Sequence, residues 1–110
     1  MEIETDLRPD AAVLRPAGRL TMVTAAELRA RVDETVAAGH RVVVLDLEDT
    51  TFMDSSGLGA LVGGLRATRE VGGDLRIARP GAQIRTVLQL TTMDRVLRPY
   101  DTVEDALRAS

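Results

Sequence analysis

The sequence predicts an α/β domain, one mixed β-sheet with helices packed on it, in the order ββαβαβαβα. Three observations predict it. Short apolar runs alternate with segments whose apolar residues recur every three or four positions. Arg8-Pro9-Asp10 places a turn between the first two runs, so an antiparallel hairpin opens the chain. The 110 residues contain no internal repeat, low-complexity tract or Pro/Gly-rich linker, so residues 1–110 are expected to form a single domain around one core.

Each element has its own justification. Ile3, Thr5 and Leu7 alternate as a half-buried strand, and Val13-Leu14-Arg15 begins a second, which Pro16 should place at an edge or end. Thr24-Ala25-Ala26-Glu27 has capping-box spacing, Val23 can staple onto Leu28, and Leu28, Val32 and Val36 line one helical face toward Gly39. The Val42 to Leu47 run is apolar on both sides and should be the central strand. A helix begins near Asp54. Gly72-Gly73 stops it, and Leu75 and Ile77 alternate in the next strand. Ile84, Val87 and Leu88 mark a third helix, Val96, Leu97 and Tyr100 a last short strand, and Thr102-Val103-Glu104-Asp105 caps a terminal helix ending near Ala109.

Composition excludes several functions. With no cysteine and one histidine, His40 in a turn, there is no basis for a disulfide framework, thiol catalysis or a metal site, and no cofactor is expected. No apolar run approaches the ~20 residues of a membrane span, and Met1-Glu2-Ile3-Glu4 lacks the order of a signal peptide, so a cytoplasmic protein away from membranes is expected. The net charge is −3 and the basic residues are scattered, which argues against nucleic acid as a partner. All fourteen basic residues are arginine. A P-loop and a phospho-aspartate receiver, which need an amine at the phosphoryl group, therefore lack their lysine, although Asp46, Glu48, Asp49 and Asp54 cluster near one strand end. A serine hydrolase would need a Gly-x-Ser-x-Gly elbow and a nearby histidine, and Gly57-Leu58-Gly59-Ala60-Leu61-Val62 misses the third glycine of a dinucleotide fingerprint.

The informative junction is Asp54-Ser55-Ser56-Gly57-Leu58-Gly59. Two hydroxyls follow a carboxylate at the first turn of a helix, where unpaired N–H groups and the positive end of the macrodipole tolerate an anion. Read locally, Ser55, Ser56 or Asp54 could equally be the N-cap. Beyond the cap, Leu58, Leu61, Val62 and Leu65 should face the sheet, leaving Gly57, Gly59, Ala60, Gly63 and Gly64 where a solvated face would carry charge. Each internal glycine costs roughly 1 kcal/mol against alanine, so a bare face of this kind is expected to serve close docking, by a partner or by a second copy in a homodimer. Some of these glycines could instead let the helix lie close to a neighbouring strand.

Val43-Val44-Leu45-Asp46-Leu47, Phe52-Met53-Asp54-Ser55-Ser56-Gly57-Leu58-Gly59-Ala60-Leu61 and Gly72-Gly73-Asp74-Leu75 together closely resemble the bacterial anti-sigma factor antagonists, small proteins of the STAS fold. The resemblance runs from Gly18-Arg19-Leu20 to Asp94-Arg95-Val96-Leu97. It implies that Ser55 is phosphorylated by an anti-sigma factor that is also a serine kinase, and that a PP2C-type phosphatase reverses the modification. It further implies that the unmodified protein holds the kinase and frees a sigma factor, and that the chain is a substrate rather than an enzyme. Partner binding is then expected at Thr21, Asp54, Ser55, Ser56, Gly57, Gly59, Ala60, Gly63 and Gly64. Thr21 stands where the family usually has Asp or Asn, which removes a carboxylate near Ser55. The alternative is a STAS scaffold that binds within a signalling assembly and is never phosphorylated.

Overall fold

The structure is a computed structural model that describes residues 1–109. The opening hairpin forms from β1 (Glu2–Leu7) and β2 (Ala11–Leu20), paired antiparallel from Glu2↔Ala17 to Leu7↔Ala12 and closed by the Arg8 N–H donating to the Ala11 carbonyl at 2.8 Å. Then follow α1 (Met22–Ala37), β3 (Val42–Asp46), β4 (Thr50–Met53), α2 (Ser55–Glu70), β5 (Asp74–Ala78), α3 (Ala82–Leu90), a 3-10 turn (Met93–Arg95), β6 (Pro99–Tyr100) and α4 (Val103–Arg108). The sheet order is β1-β2-β3-β5-β6, with β2, β3, β5 and β6 mutually parallel and β3 central, as its two-sided apolar pattern predicts.

The predicted order holds, with β4 inserted because β3 is interrupted and then resumes. β3 lies beside Ala11–Leu14 of β2, the chain turns through Leu47-Glu48-Asp49, and β4 rejoins the same neighbour beside Gly18–Leu20. Pro16 falls in the gap between these two pairings. The expectation that proline marks an edge or an end is corrected: β2 continues through it for ten residues. The Pro16 carbonyl accepts from the Thr50 hydroxyl at 2.8 Å, so its missing N–H faces a stretch where no strand asks for a donor. Gly18, at φ 102°, supplies the left-handed residue at the register shift where β2 changes partner.

Consecutive parallel strands advance in one direction across the sheet, so crossovers of constant right hand place α1, α2 and α3 on the same face. There Leu14, Leu28, Val32, Leu45, Leu61, Ile77, Ile84 and Leu88 form the main core. α4 returns to the other face and covers Val13, Val44 and Ala78 with Ala106. With only Phe52 and Tyr100 as aromatics, the main core is aliphatic, and a buried leucine in it contributes about 1.5–3 kcal/mol.

Three local expectations are corrected. α1 begins one turn before the Thr24 box: Thr21 is the N-cap, and its N–H donates to the Thr24 hydroxyl at 2.9 Å. Val23 is consequently exposed in the first turn and does not staple onto Leu28. The last strand is confined to Pro99–Tyr100, with Val96 exposed and Leu97 buried after the 3-10 turn.

The third correction concerns the two faces of α2. Leu61 and Leu65 are buried, but Leu58 and Val62 are only half-buried, while Gly57 and Gly64 point inward. α1 packs against α2, so the inward stripe of α2 needs small residues as well as large ones. A Cβ at Gly57 would lie 2.6 Å from Met53 Cγ and 2.7 Å from the Leu20 carbonyl oxygen, and one at Gly64 would lie 2.9 Å from Leu75 Cδ1. These two glycines serve close packing within the domain, and the five small residues do not share one outward face.

Candidate functional site

Leu20 and Met53 are register partners at the ends of parallel β2 and β4, so α1 and α2 start side by side at the same rim of the sheet. Thr21 caps one helix and Asp54 the other. The Asp54 N–H donates to the Leu20 carbonyl at 3.2 Å, tying the two starts together. Asp54 Oδ1 accepts from the Gly57 N–H at 3.0 Å, and the Leu58 N–H donates to the Asp54 carbonyl at 3.0 Å. Of the N-cap candidates the geometry selects the carboxylate, which leaves both serine hydroxyls free of capping duty.

Ser55 is the first residue of α2 and is exposed; Ser56, the second, is half-buried. An outward stripe continues from Ser55 through Gly59, which has open space where a Cβ would stand, to Gly63 and Arg66. Gly63 is half-covered by the Arg29 guanidinium, a flexible lid that also pairs with Asp33 at 3.0 Å. Ala60 is half-buried at the side of the stripe. Of the nine residues expected at the site, the structure therefore gathers Thr21, Asp54, Ser55, Ser56, Gly59, Ala60 and Gly63 around the helix starts, and turns Gly57 and Gly64 into the core.

Sequence reasoning missed several neighbours. Met22 and Val23, 75% and 69% exposed, give the first turn of α1 an apolar surface beside Thr21. Capping periodicity misplaced that helix start and so hid them. Arg19 and Phe52 are register partners, and the guanidinium stacks 4.3 Å from the ring centroid, an arrangement that strand pairing alone creates. Gln83 of α3 reaches Met53, the residue before the cap, with both ends of its amide. No pattern in the sequence links those two positions.

A second polar centre lies on the other face of the sheet. Asp46 is fully buried at the end of β3 and accepts from Arg15 Nε at 3.0 Å and from Arg79 Nε and Nη2 at 3.1 and 2.6 Å. Burial pushes its carboxyl up, but the Arg79 hydrogen bonds, the Glu48 N–H and the Arg79 and Arg15 guanidinium groups outweigh that and hold it below the ordinary aspartate range. Arg79, at φ 54°, also pairs with Glu48, and Arg15 extends to Glu4 at 3.5 Å. Glu4, Arg15, Asp46 and Arg79 line a cavity of about 600 Å³ beside α4, where the charges already satisfy one another. Of the acidic group noted in the sequence, Asp46, Glu48 and Asp49, which lies 3.9 Å from Arg15, belong to this structural network and Asp54 to the helix cap.

The STAS domain family matches residues 2–106 of this chain. The chain is 30% identical over 98 residues to the anti-sigma-F factor antagonist RsfB of Mycobacterium tuberculosis, covering 87% of this chain and 78% of that protein. Its structure is similar to the crystal structure of a Thermotoga maritima protein provisionally named an anti-sigma factor antagonist, with a TM-score of 0.88, 29% identity, and coverage of 96% and 91%. It shares its fold with SpoIIAA, a Bacillus cell fate determinant whose structure is known unphosphorylated and phosphorylated. The TM-scores are 0.82 and 0.75, each at 24% identity, over 96% of this chain and 93% and 96% of the respective SpoIIAA chains. Among the described residues, no helix is long and apolar enough to cross a membrane.

Proposed function

The chain belongs to the STAS domain family of anti-sigma factor antagonists, and on that premise we propose that Ser55 is the phosphoacceptor of a partner switch. Unmodified, the protein binds an anti-sigma factor that is also a serine kinase and thereby frees a sigma factor. Phosphorylation of Ser55 releases the kinase, and a PP2C-type phosphatase restores binding. The protein acts in the cytoplasm as substrate and ligand, not as an enzyme.

The observation that carries this reading is the exposed hydroxyl of Ser55 at the first position of a helix whose cap is already supplied by Asp54. Phosphorylation adds about −1.5 to −2 charge. The positive end of α2 offsets that charge within the domain, so the fold tolerates it. A partner seated on Ser55, Gly59 and the exposed Met22 and Val23 meets the same charge at close range. A loss of ~3 kcal/mol there weakens binding more than a hundredfold.

Incubation with ATP and the cognate anti-sigma kinase is expected to place one phosphate on Ser55 and none on the Ser55→Ala variant. Ser55→Ala should hold the kinase, and Ser55→Asp should bind it at least tenfold more weakly; equal binding by both variants contradicts a charge switch. Thr21 favours a second reading, because the carboxylate usual in the family at that position is missing. In that reading the chain is an unphosphorylated scaffold of a signalling assembly, and tight kinase binding with no phosphate on Ser55 would establish it.

A further inference from the structure

We propose that Gln83 is a positioning residue for Ser55: its side-chain amide, delivered by α3, sets the backbone from which the serine is presented. The functional consequence rests on the phosphoacceptor reading above, whereas the clamp itself stands on geometry.

β4 pairs with β2 along one edge, and no strand among the described residues pairs with the other. At Met53 that open edge is filled by a side chain. Gln83 Oε1 accepts from the Met53 N–H at 2.9 Å, and Gln83 Nε2 donates to the Met53 carbonyl at 2.9 Å. A neighbouring strand would offer the same donor and acceptor. Among neutral side chains with the reach to do so, the carboxamide presents both functions side by side. The next N–H, of Asp54, points the opposite way and donates to Leu20 on β2 at 3.2 Å. Two consecutive residues are therefore fastened in opposite directions immediately before Ser55.

The clamp is mounted on a rigid support. Ile84 and Leu88, on the same helix as Gln83, are 1% and 0% exposed. At the other end of the loop into α3, Arg79 is fixed by Asp46, and Pro80 is buried. The Pro80 carbonyl also accepts from Arg85 Nε at 3.1 Å, which braces the first turn of α3. Nothing else in the described structure reaches the Met53 amide from that side, so loss of the carboxamide frees the entry to α2 without opening the core.

The test uses the full chain with Gln83→Met, which keeps side-chain length and removes both hydrogen bonds, and Gln83→Glu, which can still accept from Met53. By amide hydrogen exchange, Gln83→Met should speed exchange at Met53 and Asp54 about tenfold, the effect of one lost hydrogen bond, while Gln83→Glu keeps most of the Met53 protection. Val44 and Ile77, in the central strands, should keep their protection in both variants. Unchanged exchange at Met53, or equal loss at Met53, Val44 and Ile77, overturns the clamp. With the kinase that phosphorylates the wild-type chain, kcat/KM for Gln83→Met should fall about tenfold, mainly through kcat because the docking stripe is untouched; an equal kcat/KM overturns the positioning role. If the wild-type chain takes no phosphate, the phosphoacceptor reading falls, and the exchange measurement still decides whether Gln83 holds the turn.

Discussion

Asp46 shows what one residue can do when its neighbours decide its charge. Sequence alone places it at the end of an apolar run; the fold surrounds it with Arg15, Arg79 and the Glu48 N–H. Its carboxyl is held below the unfolded value of about 3.9, so the stabilisation is present above about pH 4 and is lost as pH falls through the folded value. Asp46→Asn should flatten the acid limb of the stability curve below pH 4, as read from urea midpoints, and lower stability at pH 7. The cost is expected at about 2–3 kcal/mol, below that of a fully buried pair, because both arginines are one-third exposed and can turn to water. An acid limb identical to the wild type would show that Asp46 is not the group being titrated. Ser55 was legible for the opposite reason. Its exposed position at the first turn of α2 depends on local chemistry, a hydroxyl beside a capping carboxylate at a helix start, and that chemistry is contiguous in the chain.

α2 is the element in which local pattern and tertiary packing part company. Apolar periodicity found the helix and its inward leucines, yet it set all the glycines opposite them and left open which of them pack inward, because glycine has no hydrophobic signal to place it on either face. The structure separates them by what a methyl group would meet. Gly57→Ala should destabilise by about 1–3 kcal/mol, since the Leu20 carbonyl oxygen at 2.7 Å belongs to backbone that cannot turn aside. Gly59→Ala should instead stabilise by about 0.5–1 kcal/mol, because its Cβ points into open space and alanine loses less backbone entropy. Urea denaturation of the two variants orders them, and the reverse order would mean that α2 is rotated from the orientation described. If Gly59 lies under the proposed kinase partner, the stabilised variant should also bind that partner less tightly. The start of α1 teaches the same lesson at the other helix: two threonines three residues apart both fit a cap, and only the position of Leu20 in the sheet selects Thr21.

At the scale of the molecule, helices α1 to α3 and strands β2 to β5 contribute to one connected aliphatic core, with α4 closing a smaller cluster behind the sheet. The radius of gyration is 12.2 Å, against the roughly 13 Å expected for a compact domain of this length. We propose that residues 1–110 unfold as one cooperative unit. Tyr100 reports on the smaller cluster and far-UV circular dichroism on the whole. Their urea transitions should coincide, and a separate Tyr100 transition would identify α4 and β6 as an independent unit. Helices on both sides of β3 leave Ser55 at a rim of the sheet, away from the second polar centre, so the modification proposed there would leave the core packed.

Periodicity, turn residues and caps determined the element order, the central strand and the exposed helix start that holds Ser55, because each depends on residues within a turn or two of one another. Tertiary structure decided how β2 shares itself between β3 and β4, which glycines of α2 face inward, how Asp46 is neutralised and that Gln83 grips Met53. Those outcomes depend on residues distant in the chain, such as Gln83 and Met53, thirty positions apart, and no local preference can encode a contact that exists only once the sheet and its helices have come together.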